Sequence, residues 1–231
     1  MNKETEKKLL EIVRKNYEEI AESFNQTRKR PVWPELGKLT EQVKDGERVL
    51  DVGCGNGRLL EAFGGKDIDY LGVDFSPELA KKARENYPEE KFLEGDILDL
   101  GKIEEVNFDY VFAVAVLHHL PGKNLRIQAL KQLKNKAKPG GKIILTNWNL
   151  WSQRWSRRLI VKFLVLKMFG KHKMDFGDIL FDWKGNKDKG YSQRYYHAFR
   201  KQELKKLSRR AGLQIKKTYK DKFNYYLVLE K

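Results

Sequence analysis

The stretch Asp-Val-Gly-Cys-Gly-Asn-Gly, residues 51–57, follows directly on the apolar residues Val49 and Leu50. Nineteen residues after Gly55, Asp74 stands at the end of a second apolar stretch. A strand that runs into a glycine turn lets the backbone approach a ligand closely. An acidic side chain at the tip of the neighbouring strand can accept hydrogen bonds from both hydroxyls of a ribose. The sequence therefore predicts a binding site for a nucleoside cofactor.

The spacing of the glycines indicates which nucleoside is bound. Dinucleotide folds place their glycines as G-x-G-x-x-G and hold a pyrophosphate at a helix N-terminus. Here the glycines are Gly53, Gly55 and Gly57, and Arg58 stands where the dinucleotide pattern has its last glycine. Asp51 would repel a pyrophosphate but could receive an ammonium group. The turn therefore favours S-adenosylmethionine, whose tail is an amino acid without phosphate.

A third acidic residue, Asp96 in the stretch FLEGDILDL, follows the next predicted strand and could bind the adenine amine. In this order and at these spacings, D-x-G-x-G-x-G, GVD and GDI resemble the motifs of class I S-adenosylmethionine-dependent methyltransferases. The alternative is a glycine turn that only joins a strand to a helix.

Alternating patterns along the chain predict an α/β fold. Strands are predicted at 48–52, 70–74, 91–94, 109–115 and 141–147, and helices between them near 57–63, 77–86 and 123–136. Further helices are predicted over 4–24, 153–169 and 201–211, and a final strand pair at 213–219 and 223–229. This order predicts a Rossmann-like, mostly parallel seven-stranded sheet with helices on both faces, an antiparallel edge strand, and ligands at the carboxyl ends of the strands.

A chain of 231 residues with 40% apolar composition can bury one sizeable core. We expect a single domain, 1–231, made of four segments. These are an N-terminal helical cap (1–45), a cofactor-binding core (46–147), a basic insertion on the substrate side (148–199), and a C-terminal helix and strand pair (200–231).

Cysteine and histidine usage bears on compartment and metal binding. The single cysteine, Cys54, can form no internal disulfide, and no secretory or transit signal is recognisable, so we expect a cytoplasmic protein. The four histidines and one cysteine match no usual ligand spacing, so no metal site is expected. No serine or cysteine nucleophile arrangement is recognisable either.

The charge of the chain is concentrated in its last third. Residues 1–150 hold 25 basic and 25 acidic side chains, whereas residues 151–231 hold 22 basic and 7 acidic ones, which accounts for the whole formal charge of +15. A neutral cofactor half joined to a basic substrate half favours a polyanionic partner such as RNA. A basic surface without a specific partner and a membrane surface are the alternatives.

Four further blocks narrow the resemblance: YEEIAESFNQTRKRPVWP, VFAVAVLHHL, DILFDWKG and RYYHAF. Together and in this order, across residues 15–229, they resemble the family of tRNA methyltransferases that esterify 5-carboxymethyluridine at the wobble position. The family includes the methyltransferase half of an AlkB-homologue enzyme. The resemblance implies tRNA as the partner and, by analogy with eukaryotic members, a small activator protein.

The resemblance also implies site residues. It assigns substrate-side or catalytic roles to Arg28, His119, Arg194, Tyr195 and His197. It assigns cofactor contacts to Tyr17, Asp51, Gly53, Cys54, Gly55, Gly57, Asp74, Phe75, Asp96, Ile97, Ala113 and His118. Each has a structural alternative, such as a core aromatic residue or a surface cation.

The implied chemistry needs little from the protein beyond positioning. A carboxylate acceptor is already a nucleophile at neutral pH, so no strong general base is required. A buried carboxylate needs cationic partners, and Arg28 and Arg194 could orient it. Two other functions stay open: a small-molecule or lipid-linked methyltransferase with an interfacial helix at 151–169, and a non-catalytic subunit that only binds RNA.

Overall fold

The five parallel strands form where the sequence has short apolar runs, and all five end at the same edge of one sheet. The computed structural model describes residues 1–27, 32–184 and 191–231. The strands are β1 Arg48–Val52, β2 Asp69–Asp74, β3 Lys91–Glu94, β4 Phe108–Val114, β5 Ala137–Trp148, β6 Asp178–Lys184, β7 Tyr191–His197, β8 Gln214–Lys220 and β9 Asn224–Glu230. The α-helices are α1 Lys3–Thr27, α2 Pro34–Thr40, α3 Pro77–Asn86, α4 Lys123–Lys136, α5 Arg154–Met168 and α6 Lys201–Arg210.

The main sheet has seven strands in the order β3-β2-β1-β4-β5-β9-β8. Strands β1 to β5 pair in parallel, and β9 pairs antiparallel with both β5 and β8. The predicted sheet is therefore confirmed, although its antiparallel strand, β9, lies one position in from the edge. The strand order reverses between β1 and β4, and open α/β sheets bind ligands at this kind of switch point.

Alternating side chains of the strands supply two cores, one on each face of the sheet. One contains Leu50 and Val52 of β1 and is covered by α4 and α6. The other contains Val49 and is covered by α2, α3 and the 3₁₀ segment Arg58–Phe63. That segment lies between two glycines in left-handed conformation, Gly57 and Gly64. The predicted helix near 57–63 is thus a single short 3₁₀ segment.

The segment between α5 and α6 contains a feature that the sequence did not predict. Strands β6 and β7 pair antiparallel as a separate two-stranded sheet. Helix α1 packs against it, since Leu9 and Val13 share a buried cluster with Met174 and Tyr195. Helix α1 and the β6–β7 hairpin therefore close over the same edge of the main sheet. The division into four segments stays a prediction.

The basic segment after β5 forms helix α5, close to the predicted bounds. Among the described residues, no helix combines the length and the apolar character needed to cross a membrane.

Candidate active site

The turn after β1 is shaped by three glycines with positive φ: 73° at Gly53, 58° at Gly55 and 82° at Gly57. A Cβ on Gly53 would lie 2.4 Å from Cγ2 of Val116, and one on Gly55 would lie 3.0 Å from Cε1 of Phe24. Side chains are excluded here both by the left-handed backbone and by close neighbours. The turn therefore presents bare backbone to the space beyond it.

Asp51 is completely buried at the base of this turn. Its Oδ2 accepts a hydrogen bond of 3.0 Å from the Tyr70 hydroxyl, while its Oδ1 is buried without a hydrogen-bond partner among the described residues. Burial raises the pKa of Asp51 to about 7, and the hydrogen bond from Tyr70 only partly opposes this. A buried oxygen without a donor is costly unless a ligand supplies one. The ammonium group of an amino-acid tail would supply both a donor and a charge, so Asp51 fits S-adenosylmethionine.

Asp74 ends β2 beside the glycine turn, as predicted. Its carboxylate accepts the N–H groups of Gly55 at 2.8 Å and Ser76 at 2.9 Å. Burial raises the pKa of Asp74 to about 6, against the lowering effect of these N–H donors. The backbone bonds fix the carboxylate in place, and its remaining lone-pair capacity is available to a ribose hydroxyl.

Asp96 follows β3 and forms a salt bridge with Arg14 of α1. Nη2 of Arg14 lies 2.6 Å from Oδ2 of Asp96, and Oδ1 accepts the N–H of Leu98 at 2.9 Å. Arg14 was not among the predicted site residues. Its contact ties the covering helix α1 to the edge of the sheet.

A cavity of about 500 Å³ lies between the glycine turn, α1 and the β6–β7 hairpin. Eleven of the predicted site residues line it: Tyr17, Asp51, Gly53, Cys54, Gly55, Asp74, Phe75, Asp96, Ile97, His119 and Arg194. The structure thus brings the predicted cofactor side and part of the predicted substrate side into one space.

His119 and Tyr17 form a pair inside this cavity. The Tyr17 hydroxyl and Nε2 of His119 are 2.8 Å apart, with donor and acceptor roles set by the histidine tautomer. Burial, with the nearby charge of Arg194, lowers the pKa of His119 to about 3. His119 is therefore a neutral imidazole at neutral pH, suited to orienting a group by hydrogen bonding.

Strand β7 sends alternate side chains to opposite sides. Arg194 and Tyr196 line the cavity, whereas Tyr195 and His197 do not. The prediction that Tyr195 and His197 form the far wall of the substrate pocket is therefore wrong, because the period of two in a strand turns them away. Tyr196, which was not predicted, takes that place.

Tyr195 and His197 instead belong to a buried network around Asp178. Oδ1 of Asp178 is 2.7 Å from the Tyr195 hydroxyl, 2.7 Å from Nδ1 of His197 and 3.3 Å from Nη2 of Arg126. Nε2 of His197 also lies 2.9 Å from Oε1 of Glu203. Burial alone would raise the pKa of Asp178, but the hydrogen bond and charge of His197 and the charge of Arg126 outweigh it and lower that pKa. The network joins α4, β6, β7 and α6 behind the cavity wall.

Three other predicted contacts do not line the cavity. Gly57 packs its backbone against Tyr87 and Phe92. Ala113 is buried within β4, and Ala115 at the end of that strand reaches the cavity instead. His118 is buried with its ring 4.8 Å from that of Trp148, and its pKa lies well below the usual value because of burial. Arg28 lies outside the described residues.

Some lining residues carried no signal in the sequence. Trp148 ends β5, and Gln153 and Trp155 begin the next helix, so their approach to the cavity depends on how that segment folds back. Ala115 has a φ of 59°, which is uncommon for a residue other than glycine, and its N–H is 3.0 Å from the Thr146 carbonyl oxygen. Only a structure reveals this conformation. Among the described residues, no group of three or more histidine, cysteine or acidic side chains is placed to hold a metal ion.

Comparison with known proteins identifies the enzyme class. Residues 50–143 match the family described as "Methyltransferase domain". The tRNA (carboxymethyluridine(34)-5-O)-methyltransferase of Schizosaccharomyces pombe is 29% identical, with 96% of each chain aligned. A protein of Encephalitozoon cuniculi named as a methyltransferase is 30% identical, with 95% of each chain aligned. The Saccharomyces cerevisiae tRNA (carboxymethyluridine(34)-5-O)-methyltransferase is 36% identical over 64% of this chain, but the match spans only 51% of that longer protein.

A solved structure shares the fold. A methyltransferase in complex with the Haloferax volcanii Trm112 methyltransferase activator has a TM-score of 0.66 and 18% identity, over 94% of this chain and 96% of that one. The comparisons confirm the enzyme class and S-adenosylmethionine as its cofactor, and they do not favour the lipid-linked enzyme or the non-catalytic subunit. This chain therefore belongs to the S-adenosylmethionine-dependent methyltransferases, and it is similar over nearly its full length to a tRNA (carboxymethyluridine(34)-5-O)-methyltransferase.

Proposed function

We propose that this chain esterifies the carboxylate of 5-carboxymethyluridine at the wobble position of tRNA. The proposal is based on the observation that the cofactor side and the substrate side lie in one cavity. Asp51, Asp74 and Asp96 line the cofactor side, and Arg194 lines the same cavity beside the Tyr17–His119 pair. An acidic side suits a cationic amino-acid tail, and an arginine suits an anionic acceptor.

Arg194 is the group proposed to hold the acceptor. Its planar guanidinium can donate two parallel hydrogen bonds to a carboxylate, which a lysine ammonium cannot do with the same geometry. A carboxylate that enters the cavity loses part of its hydration, and it needs such a partner to offset the free-energy cost of that desolvation. Because His119 is neutral, it adds no second positive charge, and it can fix the acceptor through hydrogen bonds.

The side chains of the site need only to position the acceptor carboxylate and do not need to transfer a proton. When bound, S-adenosylmethionine supplies a methyl group on a sulfonium, and the acceptor carboxylate becomes a neutral methyl ester as the demethylated cofactor remains. Loss of the negative charge weakens the attraction to Arg194 and favours release of the product. The proposed roles of Arg28, His119 and Arg194 rest on this chemistry and on the resemblance to the family.

The proposed RNA partner also accounts for the charge distribution. Residues 151–231 hold 22 basic against 7 acidic side chains, and they include α5 and Arg194 beside the cavity. A small activator protein is a further proposed partner, because the structurally similar Haloferax volcanii methyltransferase was solved in complex with Trm112. Cytoplasmic location stays a prediction.

The test is the chemical nature of the product. tRNA bearing 5-carboxymethyluridine is incubated with the enzyme and labelled cofactor, and the nucleosides are analysed before and after mild alkali. A methyl ester loses its label in alkali, whereas methyl groups on carbon, ring nitrogen or ribose oxygen keep it. An alkali-stable product would overturn the proposal even with tRNA as the substrate.

Variants separate the acceptor site from the cofactor site. We expect Arg194→Lys and His119→Ala to retain cofactor affinity and to lose most turnover. Arg210→Lys, on the exposed end of α6, is the matched control and should behave like the unaltered enzyme. Equal turnover for Arg194→Lys and Arg210→Lys would remove Arg194 from the acceptor site.

A further inference from the structure

Two large aromatic side chains stand exposed at the rim of the cavity. Trp155 is 46% exposed and Phe223 is 60% exposed, although both line the cavity that holds the catalytic groups. A single exposed ring is ordinary on a protein surface, but two that line the same cavity form an apolar patch that a ligand can cover. Both rings therefore lie beside the path by which a ligand enters the cavity.

The rim that carries these rings is held in place by hydrogen bonds. The carbonyl oxygen of Phe223 accepts the N–H of Asn149 at 2.7 Å, and the amide of Gln153 donates to the carbonyl oxygen of Lys222 at 3.2 Å. The β8–β9 turn is thereby joined to the segment that starts α5. Both rings therefore sit on one fixed support.

An aromatic path leads from Trp155 into the cavity. The ring of Trp155 lies 5.5 Å from that of Phe181, which lies 5.6 Å from Tyr196. Tyr196 is 5.1 Å from His119, and His119 is 5.2 Å from Tyr17. Aromatic contacts thus continue from the exposed rim to the groups proposed to hold the acceptor.

Cations accompany the exposed rings. Arg154 and Arg157 are exposed on the first turn of α5, next to Trp155, and Lys222 precedes Phe223. Within residues 1–27, 32–184 and 191–231, none of these three forms a salt bridge with a carboxylate. Aromatic faces with neighbouring cations are the combination that binds single-stranded nucleic acid, through base stacking and phosphate contacts.

We propose that Trp155 and Phe223 form a stacking platform for the unpaired nucleotides that flank the acceptor base in an RNA loop. This inference rests on the proposed function and deepens it. The acceptor base passes along the aromatic path, while its neighbours stack on the rim and Arg154 and Lys222 contact their phosphates. Stacking tolerates any base, so the platform gives affinity for loop structure rather than for sequence.

The test compares rim and non-rim aromatic residues. Trp155→Ala and Phe223→Ala should each raise KM for the tRNA substrate by about five- to 150-fold, the range expected for loss of one stacked base. Cofactor affinity should not change, and Trp155→Phe should restore most of the binding. The control is Phe169→Ala, since Phe169 is 74% exposed but does not line the cavity.

A spectroscopic readout separates stacking from a purely structural effect. An anticodon stem-loop with 2-aminopurine beside the wobble position should lose fluorescence on binding the unaltered enzyme and lose much less on binding Trp155→Ala. Normal ester formation with unchanged KM and quenching in both rim variants would overturn the platform but leave the proposed function. If the unaltered enzyme forms no ester, the proposed function fails, and the stem-loop titration still decides whether the rim binds RNA. Equal losses in Phe169→Ala would also overturn the platform.

Discussion

Cofactor affinity should fall as the pH is lowered, because Asp51 can pair with an ammonium group only when it is ionised. Burial raises the pKa of Asp51 to about 7. Lowering the pH from about 7 to about 6 therefore cuts its ionised fraction from roughly one half to roughly one tenth. Asp74, with a pKa of about 6, falls from roughly nine tenths to one half ionised. The two losses multiply to an increase in Kd of about tenfold, or about 1.4 kcal/mol.

Isothermal titration calorimetry with S-adenosylhomocysteine, which has the same amino-acid tail, measures this change. In two buffers of different ionisation enthalpy, binding at about pH 6 should release about 1.4 protons, roughly 0.9 from Asp51 and roughly 0.5 from Asp74, because the ligand draws both carboxyls into their ionised form. Asp51→Asn should bind more weakly and keep only the roughly twofold pH effect of Asp74. A flat Kd in the unaltered protein, or the same slope in Asp51→Asn, would refute the assignment of Asp51 to the ammonium group.

The same pKa shift affects stability with the opposite sign. In the folded, cofactor-free protein the pKa of Asp51 is raised from 3.8 to about 7. The unfolded chain therefore loses its proton first, and this carboxyl makes the fold less stable as the pH rises from about 4 to about 7. Bound cofactor should remove this loss, because its ammonium group stabilises the ionised form.

Two further predictions test the frame of the site. Gly53→Ala should lower the melting temperature and abolish most cofactor binding. Gly64→Ala is the control, because Gly64 has a similar φ of 63° but nothing lies within 4 Å of the added Cβ. It should lower the free energy of unfolding in urea only by the backbone cost of about 1–2 kcal/mol. Equal effects of the two variants would show that contact with Val116 is unimportant. Asp178→Asn should lower the free energy of unfolding by about 3–5 kcal/mol, because the buried Arg126 then keeps only its longer carboxylate contact of 3.6 Å with the partly exposed Glu203. A loss no larger than that of the exposed control Asp99→Asn would contradict this role.

The cofactor half could be predicted from the sequence because its determinants are local. The glycine turn, with Asp74 at the tip of the next strand, requires only that two short apolar runs be parallel neighbours. Strand β1 pairs with β2 in that way, and Val52 lies opposite Val73. The spacing along the chain then determines which side chains meet. The predicted strand at 91–94 agrees with β3 for the same reason.

The substrate half was predicted less well because its determinants are distant in the chain. The block RYYHAF has aromatic and polar side chains at successive positions, so hydrophobic alternation does not show which of them face the cavity. The partners that settle the matter, Arg126 on α4 and Asp178 on β6, are 69 and 17 residues from Tyr195. Arg126 belongs to none of the recognised motifs, so the network around Asp178 carried no signal in the sequence.

The two faces of β7 therefore have complementary roles: one anchors the strand and the other lines the cavity. Tyr195 and His197 bond to Asp178 behind the wall, and this fixes the twist and register of the strand. Because side chains alternate along a strand, holding Tyr195 and His197 on one face directs Arg194 and Tyr196 to the cavity face. A one-residue slip would turn Arg194 toward the buried network and bring Tyr195 into the cavity, which would put a second cation beside Arg126. The buried network thus makes that slip costly, and it keeps the guanidinium of Arg194 directed into the cavity.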